Sequence, residues 1–188
     1  AYVFVHPGGG WVNMTETAKL TASDGADQDN FGFSVSISGD GNSVVAGAYT
    51  DSFGSSFNQG SAYVFVKPGG GWASMTQTAK LAASDKRDGD IFGFSVSISG
   101  DGNTVVVGAA EAVVGANFNQ GSAYVFVKPG GGWANMAQTA KLIAADGGAA
   151  DEFGTSVSIS GAGNTVIVGA PFDIIDIRLG DPGYVYVF

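Results

Sequence analysis

Trp11, Trp72 and Trp133 stand 61 residues apart, and the pairs Phe31-Gly32, Phe92-Gly93 and Phe153-Gly154 keep the same interval. A fixed period of this length means that the chain is built from copies of one supersecondary unit, each burying its apolar faces against the next. Explaining one copy therefore explains most of the molecule.

In the second copy, Phe94-Ser-Val-Ser-Ile-Ser99 alternates with period two, setting Val96 and Ile98 on one face and serines on the other, which reads as a strand. Gly100-Asp-Gly-Asn103 is a hairpin turn leading into an antiparallel strand, Thr104-Val-Val-Val-Gly-Ala109. A polar connection through Asn117-Phe-Asn-Gln-Gly121 precedes Ala123-Tyr-Val-Phe-Val127, whose two faces are both apolar and must both be covered, as when twisted sheets stack. The turn Lys128-Pro-Gly-Gly-Gly132 then brings Trp133 to the start of a last strand running toward Leu142. These stretches are too short, too β-branched and too often cut by Gly for helix. The pattern predicts an all-β chain, a β-propeller-like array of four-stranded antiparallel blades, with a sandwich as the rival arrangement.

The string Asp90-Ile-Phe-Gly-Phe-Ser-Val-Ser-Ile-Ser-Gly-Asp-Gly-Asn-Thr-Val-Val-Val-Gly-Ala109, followed by Gly121-Ser-Ala-Tyr-Val-Phe-Val127, resembles the FG-GAP repeat of integrin α-subunit propellers. It looks closest to the branch found in bacterial secreted and surface proteins, and Gly169-Ala170-Pro171 supplies the second half of the name. The resemblance implies an extracellular or cell-surface protein serving adhesion, scaffolding or ligand binding. Integrin repeats often carry a D-x-D-x-D-G calcium loop between the first two strands. Here those positions read Ser36-Ile-Ser-Gly-Asp-Gly-Asn42, Ser97-Ile-Ser-Gly-Asp-Gly-Asn103 and Ser158-Ile-Ser-Gly-Ala-Gly-Asn164. Calcium wants six to eight oxygens, several from carboxylates, so the loop site is not carried over and no cofactor is expected. The remaining places for calcium are the acidic stretches before each Phe-Gly pair: Asp24, Asp27 and Asp29; Asp85, Asp88 and Asp90; Asp146, Asp151 and Glu152. Asp27, Asp29, Asp88 and Asp90 are the candidate ligands, against the simpler reading that Asp in a Gly-rich connection caps turns and stays solvated.

Composition narrows function by exclusion. A net charge of -9, from 17 acidic and 8 basic residues, gives no basic stripe for nucleic acid. No apolar run approaches a membrane-spanning helix, so no membrane insertion is expected. With no Cys and a single His6, placed where the other copies have Lys67 and Lys128, nothing forms a catalytic triad, and the chain reads as a non-enzyme. The tryptophans fit packing over blade edges better than sugar-stacking platforms. Asn13-Met14-Thr15 is a glycosylation sequon in one copy alone.

The units divide the chain into 1–30, carrying third and fourth strands of a split blade, repeats at 31–91 and 92–152, and an incomplete repeat at 153–188 lacking its fourth strand. About three blades fall short of the roughly four a closed propeller needs. Each end then exposes what the other completes, which predicts head-to-tail self-assembly into a filament or ring. A longer propeller of which this chain is one part accounts for the same ends, and a surface module binding glycans or proteins is the alternative function. The expected self-assembly residues are Tyr2, Phe4 and Trp11 at one end and Ile174, Ile175, Ile177, Leu179, Tyr184 and Tyr186 at the other.

Overall fold

The computed structural model describes residues 1–52, 54, 56–173 and 183–188, and among them every regular element is a β-strand. The expected contacts at Ile174, Ile175, Ile177 and Leu179 lie outside the described residues. In chain order the strands are β1 (Tyr2–Val3), β2 (Ala18–Thr21), β3 (Val35–Ile37), β4 (Ser43–Ala48), β5 (Ser61–Val66), β6 (Met75–Thr76) and β7 (Ala79–Ala82). There follow β8 (Ser95–Ile98), β9 (Thr104–Ala109), β10 (Ser122–Val127), β11 (Met136–Ala137), β12 (Ala140–Leu142), β13 (Ser156–Ile159), β14 (Val166–Ala170) and β15 (Tyr184–Val187).

These strands form the sheets of a propeller-like array. The order β3-β4-β5-β7 makes one four-stranded antiparallel blade and β8-β9-β10-β12 the next, with β1-β2 before them and β13-β14-β15 after. One feature departs from the sequence reading. The segment after each tryptophan is two strands, and the short first one leaves its own blade: β6 pairs in parallel with β2, and β11 with β7. Side chains extend this outer ladder, since Ser74 Oγ accepts the Lys19 amide and Asn135 Oδ1 accepts the Lys80 amide.

Each core belongs to a joint between blades. Val45, Val64 and Leu81 of one blade pack with Phe92, Val96, Val105 and Phe126 of the next, while Val44, Ala46, Tyr63 and Phe65 face the other way, onto Val3 and Leu20. This is why β4 and β5 are apolar on both faces.

The Phe-Gly pair sets the joint. Phe92 is fully buried and meets Tyr124 and Phe126 of its own blade edge to face, with centroids 5.5 and 5.9 Å apart. Phe31 and Phe153 repeat the arrangement on Tyr63 and Tyr186. The Gly93 amide donates to the carbonyl of Gly108 in its own blade, at 3.0 Å, and the Gly93 carbonyl lies against Gly47 of the preceding blade, where a Cβ would overlap it. Ser34 Oγ donates to that carbonyl at 2.8 Å, and Ser95 does the same to Gly154 at 2.7 Å. Backbone therefore meets backbone where Gly47 faces Gly93 and where Gly108 faces Gly154, which only Gly permits.

Replacing Gly47 or Gly108 by Ala is expected to destabilise the chain by about 3 kcal/mol in urea denaturation, because the new methyl must push a blade away. Gly69→Ala, in an open turn with nothing within 4 Å, is expected to leave the midpoint within about 0.5 kcal/mol.

Candidate functional site

The polar chemistry gathers at the outer end of each joint. Tyr63 on β5 is buried, and its hydroxyl donates toward Asp24 Oδ1 at 3.0 Å and Asp51 Oδ2 at 3.2 Å. Lys80, opposite Tyr63 in the β5–β7 register, reaches both carboxylates at 2.6 and 2.7 Å and lies 5.1 Å from the Tyr63 ring centroid. The next joint repeats part of this, with Tyr124, Asp85 and Lys141 at 3.0 and 2.6 Å. There Ala112 stands where Asp51 does, so Lys141 keeps one carboxylate.

Burial raises the Tyr63 and Tyr124 phenols above their ordinary value. It pulls the Lys80 ammonium down, but hydrogen bonds to Asp24, Asp51 and Tyr63 outweigh it and hold the ammonium above its usual range. Partial burial likewise pushes Asp24 and Asp85 up, and their lysines and tyrosines overcome it, leaving both carboxyls below the usual range. A cavity of about 340 Å³ opens beside the first cluster, with Gln59, Lys86 and Asn135 on its wall. An ammonium held between two carboxylates is disposed as an ion-pair partner rather than as a nucleophile or base.

The acidic residues divide by position. Asp24, Asp85 and Asp146 turn toward the tyrosines. Asp29, Asp90 and Asp151 are buried and cap the turn three residues back, accepting the amides of Ala26 and Arg87 at 2.6 Å and that of Gly148. The turn-capping reading holds for that set, without the solvation expected for it. Burial raises the Asp90 carboxyl against the amides of Arg87 and Val113. Asp88 Oδ1 accepts from Gln59 at 3.3 Å, and Asp27 is exposed. Among the described residues no three His, Asp or Glu side chains group as metal ligands.

The Asp of each Gly-Asp-Gly turn is spent locally. Asp40 accepts the Ser38 hydroxyl at 2.6 Å and the amide and side chain of Asn42 at 2.9 and 2.8 Å; Asp101 does the same with Ser99 and Asn103. The serine hydroxyls, then the asparagines, hold both carboxyls below the usual range.

The tryptophans pack as expected where their blade is present: Trp72 and Trp133 donate to the carbonyls of Gly41 and Gly102 at 3.0 and 3.1 Å. His6 is exposed beside Trp11. Asn13, the sequon residue, occupies the position at which Ser74 and Asn135 accept rim amides. Two features went unread in the sequence. One is the recurrence of Lys19, Lys80 and Lys141 inside an otherwise apolar Thr-Ala-Lys-Leu string, visible at the repeat interval. The other is an aromatic trio, Phe33, Tyr49 and Phe94, with centroids 4.7 to 5.5 Å apart and Phe33 exposed.

The FG-GAP repeat matches residues 14–65, 75–126 and 136–188. The chain belongs to the FG-GAP repeat family. Each FG-GAP match starts at the rim segment and ends in the third strand, so it runs across a joint. Curated protein sequences give no match to the chain.

Lys80→Met is expected to cost about 2 kcal/mol, because it strands the nearly buried Asp51, whereas Lys141→Met costs under about 1 kcal/mol, its partner being half-exposed. Urea denaturation separates the two. Since Asp24 and Asp85 bind protons more weakly folded than unfolded, their contribution is complete above the unfolded range near pH 4 and lost as pH falls through the folded values. The urea midpoint is therefore expected to drop between about pH 5 and pH 3, and to drop less in the Lys80→Met/Lys141→Met double variant. Excess chelator is expected to leave the thermal midpoint unchanged. A fall of many degrees that disappeared in Asp27→Asn/Asp29→Asn would instead place a cation before the Phe-Gly pairs.

Proposed function

We propose that this FG-GAP array is a non-enzymatic structural protein of the cell exterior whose two end faces join copies of the chain head to tail, into a filament or ring. The observation that carries the reading is a change of exposure between equivalent residues. Trp11 is 69% exposed where Trp133 is 7%, Val35 is 57% where Val96 is 8%, and Val187 is 68% where Val64 is 0%. Val96 and Val64 lie in a core shared with a neighbouring blade and Trp133 lies under the hairpin of its own blade, whereas Val35, Val187 and Trp11 lack that cover. Tyr2 and Phe4 add to the first apolar face, and Val185 and Phe188 to the second, with Tyr184 and Tyr186 half-buried between them. Such edges are templates for a further blade. Among the described residues no helix is long and apolar enough to cross a membrane.

A second reading, a surface module binding glycans or proteins, draws on Phe57 and Phe118, which are exposed at corresponding places in the second-to-third-strand connections, and on the Phe33 trio. Light scattering over a concentration series decides between them. The assembly reading expects mass to rise well above 18.9 kDa. A monodisperse monomer at every concentration, with ligand binding lost in Phe57→Ser/Phe118→Ser, would favour the surface module.

A further inference from the structure

The joints at Tyr63 and Tyr124 repeat one backbone, and three substitutions between them bear on a single cavity. In the second joint Gln120, 3% exposed, lies across Gly147, where an added Cβ would overlap its Nε2. Asn117 clamps it there, donating from Nδ2 to Gln120 Oε1 at 2.9 Å and to the Gly147 carbonyl at 3.1 Å. One repeat earlier Ser56 stands at the place of Asn117 and Lys86 at the place of Gly147. Serine is too short to make the clamp, and the Lys86 Cβ takes the space that a folded glutamine needs. Gln59 accordingly stays half-buried and donates to Asp88 at 3.3 Å. The third change puts Asp51 where Ala112 stands.

The outcome is the cavity of about 340 Å³ beside Lys80, within the size range of small-molecule sites. Asp51 and Ser61 on its wall are 7% and 2% exposed, yet among the described residues Asp51 Oδ1 and the Ser61 hydroxyl have no hydrogen-bond partner. Nearly buried polar atoms of this kind call for a partner that enters the cavity. Asn135 adds an Nδ2 amide, its Oδ1 being taken by the Lys80 amide. Ala82, Ala83 and Met136 give the same space an apolar side. The Lys80 ammonium is already matched by Asp24 and Asp51. The wall therefore offers hydrogen-bond donors and acceptors beside a strip of C–H surface.

We infer that this cavity binds one ring of a neutral sugar. A ring hydroxyl donates to Asp51 Oδ1, another pairs with Ser61, the Asn135 amide donates to a sugar oxygen, and the C–H face of the ring rests on Met136 and the alanines. A hydroxyl donating to an ionised carboxylate is the strong contact in this set. The inference rests on the surface-module reading above, and adds to it a ligand class and a site apart from the loop phenylalanines.

Saturation-transfer NMR with the methyl glycosides of glucose, galactose, mannose and N-acetylglucosamine tests it, with glycine and acetate as charged controls. At least one glycoside is expected to bind. Asp51→Asn is expected to weaken that binding about tenfold, the value of one charge-assisted hydrogen bond. Ser56→Asn/Lys86→Gly gives the first joint the clamp of the second, and is expected to abolish binding while the thermal midpoint holds. Phe57→Ser/Phe118→Ser is expected to leave binding unchanged. Binding that survives Ser56→Asn/Lys86→Gly but is lost in Phe57→Ser/Phe118→Ser would put the glycoside on the loops, sinking the cavity while the surface module stands. If no glycoside binds, or glycine or acetate alone does, the sugar assignment is wrong and the surface module is left with protein ligands.

Discussion

Two glycines from neighbouring blades meet without side chains, and the blade spacing follows from that contact. The Gly93 carbonyl sits where a Cβ of Gly47 would be, while the Gly93 amide is tied to Gly108 in its own blade. One glycine thus fixes both the path of its own blade and its distance from the one before. At that separation the first strands of successive blades lie side by side, close enough for Ser36 and Ser97 hydroxyls to accept the amides of Ile98 and Ile159 at 3.2 Å. The same approach seals the valine faces of β4 and β9 into shared cores. Blade-to-blade stability is then a nearest-neighbour property, as in other repeat proteins.

Charge is arranged by distance from those contacts. The acidic residues near the Gly-Asp-Gly turns satisfy their own backbone, those three residues before a Phe-Gly glycine cap a buried turn, and those farther back pair with lysine and tyrosine at the rim. A strongly acidic chain can therefore pack sheets face to face, because many of its carboxylates already have partners. The joints are not identical in this respect. The first has two carboxylates around its lysine and the second has one, so equal geometry carries unequal electrostatic cost and gain.

Exposure reports neighbours more than residue type in such an array. Trp11 and Trp133 follow the same Pro-Gly-Gly-Gly turn, yet one lies in solvent and the other beneath its blade's hairpin. Surface hydrophobics are ordinary when scattered singly; here many lie on the first and last sheets, with Phe57 and Phe118 exposed in the loops between. Family membership fixes the architecture rather than the activity, because such arrays host many chemistries.

The period, the alternation of Val96 and Ile98 with serines, and the Gly-Asp-Gly-Asn turns were enough to specify four antiparallel strands per unit and their stacking, because these are local properties of the chain. The sequence also shows that Ser36 to Asn42 lacks the carboxylates of the integrin calcium loop. The rim was not legible. Nothing local says that Met75 and Thr76 leave their blade to pair with Leu20 and Thr21, or that Asp24, Asp51, Tyr63 and Lys80, drawn from four separate segments, converge on one point. Sequence determined the unit through short-range sterics and hydrophobic period. Only the tertiary structure decided which polar groups meet, because those distances are set by how one twisted sheet lies across the next.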